Sequence, residues 1–260
     1  MGLSLVRHGV RAARVRSSSL SILPRVEQRG AWLQNSVAMS DWINDRTSRQ
    51  RAAAAPGTWH VVIPVKGGPD AKSRLRAPDG VDRLVLARAL AIDTVTAAAE
   101  AVGPHHVVVV TSDAEVLEAV APVGVGRVDD PGRGLNEAVH AALGDLPSDQ
   151  PAAVLLGDVP ALRPPDLRAA LVAGDACDRW FVPDAEGTGT VLLGARTAAT
   201  VRPAFGSGSA TRHESGGSTR LALDLERLRR DVDDEASLGE ALRLGVGPNT
   251  AALLAHLIGL

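Results

Sequence analysis

Acidic residues in two distant stretches have the spacing of a metal-binding cluster. In "LLGDVPAL" (155–162), Asp158 follows an apolar run and a glycine, so we expect it at the end of a central strand, where a carboxylate needs a partner. In "RRDVDDEA" (229–236), Asp231 and Asp233 share one face if the segment is extended. Mg²⁺ takes one or two carboxylates together with phosphate oxygens. The three residues together predict a Mg²⁺ site; a helix N-cap at Asp158 and a charged turn before a helix at 235 are the alternatives.

Cations cluster in the stretch "VVIPVKGGPDAKSRL" (61–75), where an apolar run opens into a glycine-bearing loop. Lys66, Lys72 and Arg74 follow the run closely. Backbone amides of such a loop bind phosphates, and lysines neutralise the charge that a triphosphate develops in a transition state. The spacing matches neither the P-loop nor the dinucleotide fingerprint. The loop therefore predicts nucleotide binding, with a solvated surface loop as the alternative.

Two loops of small residues provide further candidate sites for an anion. They are "GTGTVLLGA" (187–195) and "PAFGSGSATRH" (203–213). Thr190, Gly206 and Ser209 are the positions best suited to present amides and hydroxyls, with Arg212 or His213 as cationic support. Such loops are most often turns, so the pattern alone is weak.

Asn136 follows "GRGL" and opens a helical pattern. It is either the N-cap of that helix or a contact to the ribose or base of a nucleotide. The single cysteine, Cys177, excludes an internal disulfide and a cysteine-cluster metal site and is typical of a cytoplasmic protein.

Strand and helix patterns alternate from residue 59 onward. Apolar runs at 59–65, 105–112 and 151–162 are separated by amphipathic helices, and helix 164–174 follows the third run. This order predicts an α/β fold with a doubly wound, mostly parallel sheet. After residue 180 the pattern changes to short strands at 179–184, 187–195 and 221–225 and two closing helices at 235–245 and 249–259, which predicts a mixed C-terminal part of the same sheet.

The composition of the chain limits its possible partners. Its 260 residues are 45% hydrophobic with a formal net charge of −2, and no apolar stretch reaches the length of a membrane helix, so we expect neither nucleic acid nor a membrane as partner. Residues 1–55 carry nine arginines against three acids, which predicts a disordered basic extension ahead of a single domain at 56–260. Met39 is an alternative start, and a nucleic-acid-binding arm is the other interpretation of this segment.

The motifs occur in an order that resembles one known family. The sequence "IPVKGGPDAKSRL", "TSD", "GLNEAV", "LLGDVPAL", "GTGTVLL", "FGSGSATRH", "RDVDD" and "LGVGPNTAALL" is similar to the phosphoenolpyruvate/2-phospho-L-lactate guanylyltransferases of coenzyme F-420 biosynthesis, which share the fold of the molybdenum-cofactor guanylyltransferases. The resemblance runs from about residue 58 to residue 257.

The resemblance implies substrates, a cofactor and roles for individual residues. GTP and Mg²⁺ would guanylylate phosphoenolpyruvate, giving enolpyruvoyl-2-diphospho-5'-guanosine and pyrophosphate. Alternatives are 2-phospho-L-lactate as acceptor, a sugar phosphate or molybdopterin on the same fold, and a non-catalytic binding subunit.

The implied roles are catalysis by Lys66, Lys72 and Asp158, metal binding by Asp158, Asp231 and Asp233, and phosphoenolpyruvate binding by Thr190, Gly206 and Ser209. The loop pattern adds nucleotide binding by Lys66, Lys72, Arg74 and Asn136. The double arginine before Asp231 departs from the family pattern.

Overall fold

The computed structural model describes residues 59–68, 72 and 75–255. The strands are β1 (His60–Pro64), β2 (Val107–Val110), β3 (Gly126–Val128), β4 (Ala152–Leu155), β5 (Arg179–Pro183), β6 (Thr190–Ala195) and β7 (Thr219–Arg220). The α-helices are α1 (Arg83–Val102), α2 (Ala114–Val120), α3 (Leu135–Gly144), α4 (Pro164–Gly174), α5 (Ser209–Ser215), α6 (Glu226–Arg229), α7 (Glu235–Leu244) and α8 (Pro248–Leu253). Short 3-10 turns lie at Pro104–His106, Ala121–Val123 and Ala198–Thr200.

In the described part of the chain the strands form one seven-stranded sheet in the order β3-β2-β1-β4-β6-β5-β7. β1 pairs in parallel with β2 and β4, β2 with β3, and β5 with β7. β6 runs antiparallel to both β4 and β5, so it is the one reversed strand of this sheet. The strand order changes direction between β1 and β4, and ligands of open α/β sheets bind beyond the carboxyl ends of the strands at such a point.

The architecture confirms the predicted α/β class and the mostly parallel sheet. One predicted strand is wrong, because residues 221–225 follow β7 and form no strand, although the N–H of Leu221 donates to the carbonyl of Phe181 in β5 at 2.9 Å. β3 was not predicted; its three residues carry only one apolar side chain of any size, Val128, which is too short a pattern to recognise. The extension predicted for residues 1–55 lies outside the described residues, as does the end of the predicted helix at 249–259.

Helices cover both faces of the sheet, as its apolar strands require. In β1, Val61 and Ile63 pack with the cluster that includes residues of α1 and α4, whereas Val62 packs with that of α3. Successive side chains of a strand point to opposite faces, so a strand buried on both sides must be apolar at every position. No helix within the described ranges is long and apolar enough to cross a membrane.

Two side chains of α1 fix the loop that follows β4. The hydroxyl of Thr94, fully buried, accepts a hydrogen bond from the backbone N–H of Val159 at 3.0 Å. Asp93, 2% exposed, accepts hydrogen bonds from the backbone N–H groups of Asn249 and Thr250 at the start of α8, and Gly247 N–H donates to the carbonyl of Pro160 at 2.8 Å. The loop that carries Asp158 is therefore held by buried polar groups from two helices.

Replacing Thr94 with valine tests this anchor. Thr94→Val keeps the shape of the side chain but leaves the buried N–H of Val159 without its acceptor, which we expect to cost about 1–3 kcal/mol of stability. The free energy of unfolding from urea titration measures this cost. Thr96→Val is the matched control, because among the described residues the Thr96 hydroxyl bonds only the carbonyl of Ile92 in its own helix. Equal losses in the two variants would contradict the anchoring role.

Candidate active site

Three carboxylates from two distant segments meet at the carboxyl edge of the sheet. Asp158, Asp231 and Asp233 each place a carboxylate oxygen within 4.8 Å of the others. The backbone N–H of Val232 donates to the carbonyl of Asp158 at 2.9 Å, and the Val232 side chain is fully buried. Because Val232 is anchored in the core beside Asp158, the carboxylates of its two acidic neighbours lie close to that of Asp158.

Lys72 provides a positive charge at this cluster. Its ammonium group forms ion pairs with Asp158 and, at 2.7 Å, with Asp233. Burial alone would lower the pKa of Lys72, but the two carboxylates outweigh that effect and raise it. Lys72 is therefore charged at neutral pH.

The donor set of the cluster fits a divalent cation. Burial, reinforced by the charges of Asp158 and Asp233, raises the pKa of Asp231 to about 8, although the charge of Lys72 opposes this rise. The buried Oδ1 atom of Asp158 has no hydrogen-bond partner within the described residues. Oxygen atoms are the ligands that Mg²⁺ prefers, so these three residues are suited to hold it.

The lysine loop after β1 runs beside the Asp158 loop. A Cβ atom on Gly157 would lie 2.8 Å from the carbonyl oxygen of Pro64 and 2.9 Å from the side chain of Val65, so only glycine permits this approach. Lys66 follows Val65 directly and is exposed at the same edge. Arg74 lies outside the described residues.

The reversed direction of β6 brings Thr190 to this edge as well. Thr190 is the first residue of β6, so it lies where the parallel strands end. The N–H of Leu156 donates to the carbonyl of Val191 at 3.0 Å, which places the start of β6 beside the segment leading to Asp158. Asp184 shapes the preceding turn, because its carboxylate accepts hydrogen bonds from the N–H groups of Thr188 and Gly189.

Gly206 and Ser209 lie in the second small-residue loop, which is held near Thr190. The N–H of Ala210 donates to the carbonyl of Thr188 at 3.1 Å, and the N–H of Ser209 donates to the carbonyl of Gly206 at 3.0 Å. Gly206 has a φ of 118°, a conformation that favours glycine. Ser209 begins α5 and is 2% exposed.

Asn136 contacts the same loop through both ends of its side-chain amide. Its oxygen accepts from the N–H of Phe205 at 2.8 Å, and its nitrogen donates to the carbonyl of Phe205 at 3.3 Å. Asn136 does not act as the N-cap of α3, where Gly134 occupies that position. Nucleotide binding by Asn136 stays a prediction.

Arg212 and His213 also bind this loop. The guanidinium of Arg212 donates to the carbonyls of Ala204 and Ser207. His213 is not the cationic support that the sequence suggested, because burial, reinforced by Arg212, lowers its pKa from 6.5 to about 4. The imidazole is therefore neutral at physiological pH.

Comparison with known proteins identifies the family. The model of the MobA-like NTP transferase domain matches residues 83–227. A curated protein of Geodermatophilus obscurus named phosphoenolpyruvate guanylyltransferase is 48% identical over 206 residues, covering 75% of this chain and 94% of that protein. A phosphoenolpyruvate guanylyltransferase of Streptomyces coelicolor is 44% identical, and the match covers 77% of this chain and 97% of that protein. The chain belongs to the phosphoenolpyruvate guanylyltransferase family.

The fold of these guanylyltransferases extends to distant relatives. A proposed nucleotide-diphospho-sugar transferase from Desulfovibrio desulfuricans G20 superimposes with a TM-score of 0.54 at 17% identity, covering 77% of this chain and 95% of that one. At this identity the likeness shows the fold alone.

Arg229 and Arg230 link the acidic segment to the turn before β6. Arg229 donates to the carbonyls of Pro183, Asp184 and Ala185 at 2.8–3.3 Å. Arg230 pairs with Glu186 at 2.6 Å. Both residues immediately precede Asp231, so they join the acidic segment to the turn before Thr190. Their partners lie more than 40 residues away, and no local signal in the sequence indicates them.

The lowered pKa of His213 predicts a specific loss of stability in acid. As the pH falls from 6.5 towards 4, the unfolded chain takes up a proton on His213 that the folded chain does not, so the free energy of unfolding decreases. This decrease in the free energy of unfolding is complete below the pKa of His213 in the folded chain and absent above pH 6.5. Urea titrations between about pH 7 and pH 4 should therefore show a weaker pH dependence for His213→Asn than for the wild type. His140→Asn, at an exposed position, should retain the wild-type dependence; an unchanged dependence in His213→Asn would contradict the prediction.

Proposed function

We propose that this protein condenses GTP with phosphoenolpyruvate, releasing pyrophosphate and forming enolpyruvoyl-2-diphospho-5'-guanosine, as a step in coenzyme F-420 biosynthesis. The observation that carries the proposal is the meeting of three carboxylates and Lys72 at the sheet edge that also holds the start of β6. The identity of 48% to a phosphoenolpyruvate guanylyltransferase supports the choice of substrates. The proposal includes a cytoplasmic location, with which the single cysteine is consistent.

The reaction is an in-line displacement at the α-phosphorus of GTP. An oxygen of the acceptor's phosphate forms the new P–O bond, and the bond between the α-phosphorus and the bridging oxygen of pyrophosphate breaks. The acceptor phosphate is already ionised near neutral pH, so the reaction needs no general base. Catalysis then depends on positioning and on stabilisation of charge.

The residues of the chain divide these tasks. Asp158, Asp231 and Asp233 would hold Mg²⁺, which when bound supplies positive charge that brings the anionic reactants together. Lys66 and Lys72 would neutralise charge as it moves onto the pyrophosphate. Thr190, Gly206 and Ser209 would bind the acceptor, and the loop after β1 together with Asn136 would bind the nucleotide.

An acceptor panel tests the proposed function directly. The protein is incubated with GTP and Mg²⁺ and, in turn, with phosphoenolpyruvate, 2-phospho-L-lactate, a sugar phosphate or no acceptor, and pyrophosphate release is followed. We expect the highest rate with phosphoenolpyruvate. A higher kcat/KM with another acceptor would overturn the substrate assignment, and the absence of release with every acceptor would overturn the function.

Replacement of Asp158 tests the metal assignment. We expect Asp158→Asn to lower kcat by roughly a hundredfold or more, because the remaining carboxylates hold the cation poorly and charge in the transition state is less well stabilised. Calorimetric titration with Mg²⁺ should show weaker binding, while circular dichroism shows an intact fold. Asp149→Asn is the control, since Asp149 is exposed at the opposite edge of the sheet, before β4. A near-wild-type rate and unchanged Mg²⁺ affinity in Asp158→Asn would refute the assignment.

Replacement of Ser209 tests the acceptor assignment. Ser209→Ala should raise the KM for phosphoenolpyruvate by roughly tenfold, the cost of one hydrogen bond to a charged group, and leave the KM for GTP within about twofold. Ser215→Ala, at the exposed last residue of the same helix, should change neither constant. Equal effects of Ser209→Ala on both substrates would remove Ser209 from the acceptor site.

A further inference from the structure

His213 is a buried residue whose two ring nitrogens both make hydrogen bonds. It is 2% exposed and packs between the rings of Phe181 and Phe205. Its Nε2 atom lies 3.0 Å from the backbone nitrogen of Ala204, and its Nδ1 atom lies 2.9 Å from the hydroxyl oxygen of Thr190. One imidazole thus joins the start of β6 to the loop that contains Gly206.

These two contacts fix the tautomer of the imidazole. The backbone N–H of Ala204 can only donate, so Nε2 must carry the lone pair that accepts its hydrogen bond. A neutral imidazole has one N–H, which must then be on Nδ1. His213 therefore donates to Thr190, and the Thr190 oxygen is the acceptor.

The tautomer in turn determines what Thr190 can do with its own proton. Since the oxygen of Thr190 accepts from His213, its hydroxyl proton must point elsewhere. Within the described residues, no hydrogen bond uses that proton. The hydroxyl proton is thus available for an acceptor supplied by a ligand, and an anion would accept it most strongly.

We propose that His213 is a positioning residue that orients the hydroxyl proton of Thr190 towards an anionic group of the acceptor substrate. This inference rests on the proposed function, because it takes the start of β6 to be part of the acceptor site. Asn136 and Arg212 both bind the peptide group that joins Ala204 to Phe205, at its N–H and its carbonyl, so the histidine receives its hydrogen bond from a fixed donor. Without this contact the hydroxyl group of Thr190 could rotate, and its proton would point towards the substrate for only part of the time.

Two amide variants of His213 separate this role from simple packing. Asparagine keeps an N–H near the position of Nδ1, whereas glutamine keeps an oxygen near the position of Nε2. We expect His213→Gln to raise the KM for phosphoenolpyruvate roughly tenfold or more and His213→Asn to raise it less than about threefold, with the KM for GTP within about twofold in both. In a Thr190→Ala background the difference between the two variants should disappear.

The tautomer can be measured directly in the wild-type protein. With ¹⁵N-labelled histidine, the ring of His213, assigned by its loss in His213→Asn, should show a protonated Nδ1 and an unprotonated Nε2 at neutral pH. Protonation on Nε2 instead, or equal KM effects of asparagine and glutamine, would overturn the inference. Failure of the wild type to transfer guanylyl groups would overturn the proposed function, and the ring signals would still decide the tautomer of His213.

Discussion

The site depends on the balance of charge around three neighbouring carboxylates. Two like charges within 4.8 Å repel by roughly 3–4 kcal/mol at an effective dielectric constant of about 20. Lys72 offsets part of that repulsion through its ion pairs with Asp158 and Asp233, and burial together with these two carboxylates raises the pKa of Asp231. A divalent cation held by these carboxylates would add positive charge. The surrounding fold serves to hold these groups together against their repulsion.

Buried polar contacts provide that restraint. Thr94 holds the backbone beside Asp158, and the fully buried Val232 fixes the segment between Asp231 and Asp233. Arg229 and Arg230 connect this segment to the turn before Thr190. The three carboxylates and the β6 turn are consequently parts of one hydrogen-bonded unit, whose bonds run through backbone carbonyls as well as side chains.

The antiparallel direction of β6 gives the site its second half. Carboxyl ends of parallel strands meet at one edge of a sheet, and a reversed strand contributes its first residues to the same edge. Thr190 comes beside the Asp158 segment for this reason, and the loop with Gly206 and Ser209 follows it through the hydrogen bond between Ala210 and Thr188. An additional parallel strand in the place of β6 would bring its last residues to this edge instead.

The sequence alone determined the strand and helix pattern, the acidic positions and the small-residue loops, because these depend on periodicity and on residue types at strand ends. Short strands without a clear pattern, such as β3, could not be predicted, and residues 221–225 have strand-like residues but do not extend β7. Only the tertiary structure decided that Lys72 pairs with Asp158, that Arg229 binds carbonyls of the turn after β5 and that His213 is neutral. Such contacts join residues far apart in the chain, and burial and hydrogen-bond geometry, which exist only in the folded state, determine their charge and their partners.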